Sequence, residues 1–144
     1  MPQISTIVSN SVQTGILGSI PKESRVTAVT VRVDQAFNSS GTDLLTVGYD
    51  ADTDAYAVSV DVSTVGVKTV TLGADVGQSS QNQTAKAYYT AGGGAPTTGI
   101  ALVTIEYVTV LKIGKRLRRG RVARRARNAA VREIVPALVR LERR

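Results

Sequence analysis

Residues Ile100–Leu111 read IALVTIEYVTVL. The run is rich in β-branched residues and too short to span a membrane as a helix. It is apolar on nearly both faces. That predicts a strand lying centrally in a sheet and covered on both sides. Directly after it comes KIGKRLRRGRVARRAR, Lys112–Arg127, in which seven of the twelve residues 116–127 are arginine. Residues 1–111 carry five basic and nine acidic side chains, a net −4. Residues 112–144 carry thirteen basic and two acidic ones, a net +11, and the sum is the chain's +7. The positive charge therefore belongs to a tail attached to a mildly acidic body.

Upstream of this boundary the chain reads as short strands separated by turn residues. In Ser24–Phe37, Val29, Val31 and Val33 alternate with Thr30, Arg32 and Asp34, a strand with one buried face. Asn38–Asp43 is a turn. Leu44–Tyr49 is the next strand, and Asp50–Asp54 a loop. Ala55–Val62 alternates again, with Val58, Val60 and Val62 against Ser59 and Asp61. Gly66–Leu72 follows, with Val70 and Leu72 on one face, and then a strand at Ala85–Thr90. Gly73–Thr84 and Ala91–Gly99 read as long polar surface loops. The weakly alternating residues 1–23 suggest an extended arm with one or two short strands, pairing with an edge of its own sheet or with a neighbouring subunit. Strands at this spacing without helical periodicity predict a mainly β fold: an antiparallel β-sandwich, jelly-roll-like, over residues 24–111.

After Leu111 the period changes. Leu117, Val122, Ala126, Ala130, Ile134, Leu138 and Leu141 recur mostly every four residues, and the arginines fall mainly elsewhere on the wheel. Residues 112–144 thus read as a basic amphipathic helix, weakened at Gly120 and broken near Pro136.

Few chemistries fit this composition. With no histidine and no cysteine, the commonest general base and the usual zinc ligands are missing, and no activated nucleophile is evident. No enzymatic activity, metal site or cofactor is expected. Asp50, Asp52 and Asp54 begin like a calcium loop, but its sixth and twelfth positions are Ala55 and Asp61 rather than Gly and Glu, so a polar β-turn is the plainer reading. Gly92-Gly93-Gly94 lacks phosphate-loop spacing. The start of the chain has no positive region before an apolar core and does not read as a secretory signal. A soluble, non-exported protein without membrane contact is expected.

The arginine run has three readings: a solvated tail, a phosphate-binding segment for nucleic acid, or a clamp on an acidic protein surface. The apolar stripe and the scarcity of aromatic stackers favour the clamp. Its docking residues would be Arg116, Arg118, Arg119, Arg121, Arg124, Arg125 and Arg127, with Val122, Ile134, Leu138 and Leu141 packing beneath them.

One pattern runs through Val26–Val108: a valine-rich strand ending in AFN, an LTVG strand, a D-x-D-A aromatic turn, a YT-x-GG loop and a closing strand ending in EYV. It resembles a β-domain recurrent in tailed-bacteriophage structural proteins, among them small capsid decoration (cement) proteins and pieces of head or tail fibres. The resemblance implies a virion protein, assembled in the host cytoplasm, that sits on the head shell as a homodimer or homotrimer. Its partners would be the major capsid protein and itself; the basic tail departs from the pattern, so its contact with a capsid subunit or with packaged DNA is read from its own chemistry. The resemblance implies no catalytic residues.

Overall fold

The structure, a computed structural model, describes residues 1–73, 76, 77 and 79–110. The basic segment 112–144, with its expected helix and docking residues, lies outside the described residues. Met1–Val110 form one compact unit. Its strands are β1 (Gln3–Ser9), β2 (Thr14–Ile20), β3 (Ser24–Gln35), β4 (Asp43–Tyr49), β5 (Asp52–Asp61), β6 (Gly66–Lys68), β7 (Thr71–Leu72), β8 (Gln83–Ala91) and β9 (Ile100–Thr109). They make two antiparallel sheets of order β1-β9-β3-β6 and β2-β8-β4-β5-β7, and no helix occurs among the described residues. The inner faces of both sheets contribute to one apolar cluster, from Val8 on β1 and Leu17 on β2 to Val103 and Ile105 on β9. Met1–Val110 thus form a β-sandwich.

β9 takes the central place that its apolar sequence predicts, between β1 and β3. Ala101, Val103 and Ile105 are fully buried. The opposite face is only partly covered, because Leu102, Thr104 and Glu106 are half-buried. On β3 the alternation holds from Val29 to Val33. A bulge between Val26 and Ala28 then brings Val26 inward as well, since one extra residue restores the face that odd spacing would lose.

One open reading of the sequence is decided here, and three change in detail. Residues 1–23 pair with their own sheets: β1 along β9 and β2 along β8, with Val8, Leu17 and Ile20 in the core. Of the two pairings left open for this segment, the structure has the one with its own sheets, and the segment supplies two edge strands. Val60 on β5 and Val62 just after it are buried, but Val58 is 37% exposed. The pairing with β4 skips from Val60 to Ala57, and Ser59 takes a positive φ of 42°. Gly66–Leu72 is not one strand, because β6 joins β3 in one sheet and β7 joins β5 in the other. Val70 packs against the core whereas Leu72 is exposed, since the segment changes sheets between them. The loop expected at Asp50–Asp54 is confined to Asp50 and Ala51, and β5 begins at Asp52.

Candidate functional site

At one end of the sandwich the turn between β3 and β4 meets the loop between β8 and β9. Phe37 follows the last residues of β3 and is 2% exposed. Its ring stacks on Tyr89 of β8, with centroids 4.4 Å apart and planes inclined by 29°. The Tyr89 hydroxyl donates to the carboxylate of Asp43, itself 3% exposed, and the Ser39 backbone N–H donates to the same Oδ1 at 3.1 Å. A short aspartate at the start of β4 thus closes the turn that precedes it, as such residues do.

Asn38 ties this turn to the far loop. Its Oδ1 accepts from the backbone N–H of Thr97 at 2.8 Å and of Thr98 at 3.0 Å, and its Nδ2 donates to Thr97 Oγ1 at 2.9 Å. Gly94 N–H donates to Ser40 Oγ at 2.7 Å and Gly92 N–H to Thr42 O at 2.6 Å. The glycines are needed where the backbones touch: a Cβ on Gly41 would lie 2.6 Å from Gly92 O, and one on Gly93 2.6 Å from Gly41 N. Ala91–Gly99, read from sequence as a long surface loop, is therefore fastened along its length.

The residues that carry the sequence pattern converge here: Phe37 and Asn38 of AFN, Tyr89 of YT, and Gly92 and Gly93 of the GG pair. Sequence inspection shows the motif but not that its parts meet. No buried side-chain polar atom among the described residues lacks a hydrogen-bond partner. The cluster uses its polar groups internally and has the chemistry of a structural lock.

This lock titrates. Burial alone raises the Asp43 carboxyl, but hydrogen bonds from Tyr89 and Ser39 outweigh it and hold the group below the usual carboxylate range. Burial, and then the bond to Asp43, pushes the Tyr89 phenol up to about 12. A depressed carboxyl stabilises the fold above its unfolded pKa of about 4 and loses that contribution as pH falls through the folded value. A raised phenol stabilises it below about pH 10 and loses that contribution as pH rises toward 12. Denaturation midpoints should therefore form a plateau between about pH 5 and 9 and fall on both sides. Tyr89→Phe should lower the plateau by about 1.5–3 kcal/mol, the range for a bond to a charged group, and should flatten the alkaline limb. An unchanged alkaline limb in that variant would remove Tyr89 as its cause.

At the other end, Asp50 is engaged by Lys86 Nζ at 2.6 Å and by the Tyr88 hydroxyl at 3.2 Å. Lys86 is the main influence keeping this carboxyl low. Asp52 lies within β5. The aspartate triplet is thus shared between a turn and a strand, and among the described residues no three carboxylates gather as a metal site would need. A cavity of about 280 Å³ opens nearby, lined by Ile20, Ser24, Val26, Tyr49, Tyr56, Gly77, Ser79, Ser80 and Gln83, none of them charged. Val110 N–H, just past β9, donates to Glu23 O at 2.8 Å, just before β3. The expected docking residues from Arg116 to Leu141 lie outside the described residues.

No protein-family profile matches this chain, and no curated protein sequence matches it. Among solved structures it is similar to a chain of the cyanophage Pam1 capsid asymmetric unit. The TM-score is 0.56 at 16% identity, over 74% of this chain and 82% of that one. It also aligns with a chain of the acid-stable capsid of Helicobacter pylori bacteriophage KHP30, with a TM-score of 0.47 at 14% identity, over 76% and 93% of the two chains. The likeness to the Pam1 chain is one of fold.

Proposed function

We propose that this protein is a structural component of a bacteriophage virion: a capsid decoration, or cement, protein that binds the assembled head and bridges capsid subunits. The observation that carries this reading is the sandwich shared with a chain of a phage capsid. The Val26–Val108 pattern supports it from the sequence side. The strand order supports a jelly roll in particular: β1-β9-β3-β6 faces β2-β8-β4-β5, with β7 appended, and capsid domains are a common use of that architecture. A tightly fastened loop end and a fully internal hydrogen-bond network suit a part that bears load rather than one that turns over substrate. No catalytic role is proposed.

In this reading the arginine-rich segment is the clamp. Arg116, Arg118, Arg119, Arg121, Arg124, Arg125 and Arg127 pair with carboxylates of neighbouring capsid subunits, while Val122, Ile134, Leu138 and Leu141 pack against them. Charge-assisted, bidentate bonds supply orientation as well as affinity. Bridging removes apolar surface from water and ties together subunits that packaged DNA pushes apart.

The test is binding to purified heads lacking the protein, comparing the full chain with a version ending at Leu111. The shorter chain is expected to bind at least about tenfold more weakly, equivalent to about 1.4 kcal/mol. Equal binding and equal head stabilisation would sink the clamp. Copy number in purified particles tests the broader role: cement requires hundreds of copies, whereas a fibre component recognising a host through its loops requires few.

The +11 charge of residues 112–144 favours a second reading, in which the tail meets packaged DNA. Binding of the free chain to random duplex DNA would then fall steeply with salt, with a log–log slope of several units. A flat response would remove this alternative.

A further inference from the structure

The end of the sandwich beside Asp50 is fastened but not filled. Glu23 takes a φ of 65°, in the left-handed region, and its N–H donates to Ser79 O at 2.7 Å. A bulge interrupts the β3–β9 pairing between Val26 and Ala28, and Val26 N–H donates to Val76 O at 3.2 Å. Lys22 N–H donates to Asn82 Oδ1 at 2.8 Å. Positive φ in a non-glycine residue and β-bulges both gather next to functional sites. Here the two irregularities hold one rim. Protein interiors are close-packed, so a rim that served closure alone would be filled by side chains. This one borders a cavity of about 280 Å³.

β8 carries the mark of this cavity in its alternation. Its inner face runs Gln83, Ala85, Ala87, Tyr89, so a polar residue opens an otherwise buried row. Gln83 lines the cavity with Ser79 and Ser80. Gln83 Nε2 donates to Ser79 Oγ at 3.4 Å, and Ser79 Oγ donates to Gln81 O at 2.9 Å, which orients the amide. Gln83 Oε1 and the Ser80 hydroxyl have no partner among the described residues. The remaining walls are apolar and aromatic. Ile20 and Val26 are 2% and 3% exposed. The rings of Tyr49 and Tyr56 have centroids 5.9 Å apart and planes inclined by 52°.

We propose that this cavity binds a single neutral sugar ring. Serine and tyrosine hydroxyls and the glutamine amide each donate and accept hydrogen bonds. Sugar hydroxyls also do both, whereas a carboxylate only accepts and an ammonium only donates. Aromatic faces attract C–H groups through the ring quadrupole, and a sugar ring presents C–H groups on its faces and hydroxyls around its rim. A wholly apolar occupant would strip water from Gln83 and Ser80 without replacing its hydrogen bonds. The volume lies at the small end for ligand sites, which suits one ring rather than a chain. The site belongs to Met1–Val110 and needs neither the basic tail nor a capsid, so its failure leaves head binding untouched. On a particle displaying many copies, weak single sites add up by multivalency.

The test is a proton–nitrogen NMR titration of the full chain with methyl glucoside, methyl galactoside and N-acetylglucosamine. Glucuronate, glucosamine and N-acetyl-leucine amide are run alongside. At least one neutral sugar is expected to shift the Gln83 side-chain amide and the backbone signals of Gly77, Ser79 and Ser80 saturably. The dissociation constant should be roughly 1–10 mM, ordinary for so small a ligand. The charged sugars and the leucine derivative should bind at least about tenfold more weakly. Gln83→Leu should weaken sugar binding at least about tenfold, and Ser80→Ala, at an exposed position, about threefold, both with an unchanged circular dichroism spectrum. Val67→Ser, on β6 and 70% exposed in the wild type, should leave binding unchanged. No saturable shift with any neutral sugar would overturn the proposal. So would equal or tighter binding of a charged sugar or of N-acetyl-leucine amide, or undiminished binding by Gln83→Leu.

Discussion

Phe37→Ala is expected to lower the stability of the sandwich by about 3–5 kcal/mol, the usual cost of deleting a buried aromatic ring. The site explains why the cost should fall at the upper end. Phe37 is 2% exposed and stacks on Tyr89, and such pairs add about 0.5–1.5 kcal/mol beyond area burial. The surroundings cannot collapse into the gap. Gly99 lies against the ring, where a Cβ would be 2.3 Å from Phe37 Cδ1, and its φ of 148° is one that favours glycine. Asn38 pins the same loop through Thr97 and Thr98. The measurement is the guanidinium midpoint of the variant against wild type, with the slope held constant. A loss below about 1 kcal/mol would show that the ring is replaceable and that the lock at this end is not structural.

Gly48→Val is expected to cost about 3 kcal/mol or more, at or beyond the upper end of the range for overpacked cores. The pairing of β4 with β5 passes from Val47↔Ala57 to Tyr49↔Asp52, so Thr53 to Tyr56 arch across a single residue of β4. A Cβ on Gly48 would sit 2.1 Å from Asp52 O, and one on Gly73 would sit 2.2 Å from Ala55 O on the other flank. Both clashes are with backbone, so no side chain can rotate away. Gly77→Ala is the control, because nothing lies within 4 Å of its Cβ position. It should change stability by less than about 0.5 kcal/mol. If the two variants unfold at the same midpoint, steric contact at Gly48 is not what fixes the β4–β5 register.

The strands were legible in the sequence because each keeps one face dry. Val29, Val31 and Val33 announce β3, and the two-faced apolarity of Ile100–Leu111 announces the centre of a sheet. What was not legible is where the ladder breaks step. The bulges at Val26/Ala28 and around Val58–Ser59 depend on which strand lies alongside, and that is information from distant parts of the chain. Residues 1–23 illustrate the same limit: their weak alternation fits pairing with a neighbouring subunit as well as with their own sheets, and only the ladders with β9 and β8 decide. The lock was half legible. Its glycines, Asn38 and Tyr89 stood out as a pattern, but their meeting follows from topology. The tail's periodicity is plain in the sequence, and its docking residues lie outside the described residues, so its role rests on chemistry alone.

The placement of β9 has a mechanical meaning. The chain enters residues 111–144 directly from this strand, which is flanked by β1 along Gln3–Ser9 and by β3 along Ser24–Gln35. Tension applied through residue 110 and along β9 would be resisted in shear by both neighbouring ladders at once, whereas an edge strand peeled sideways gives up its hydrogen bonds one at a time. A strap sewn to the middle of a fabric holds where one sewn to the hem tears.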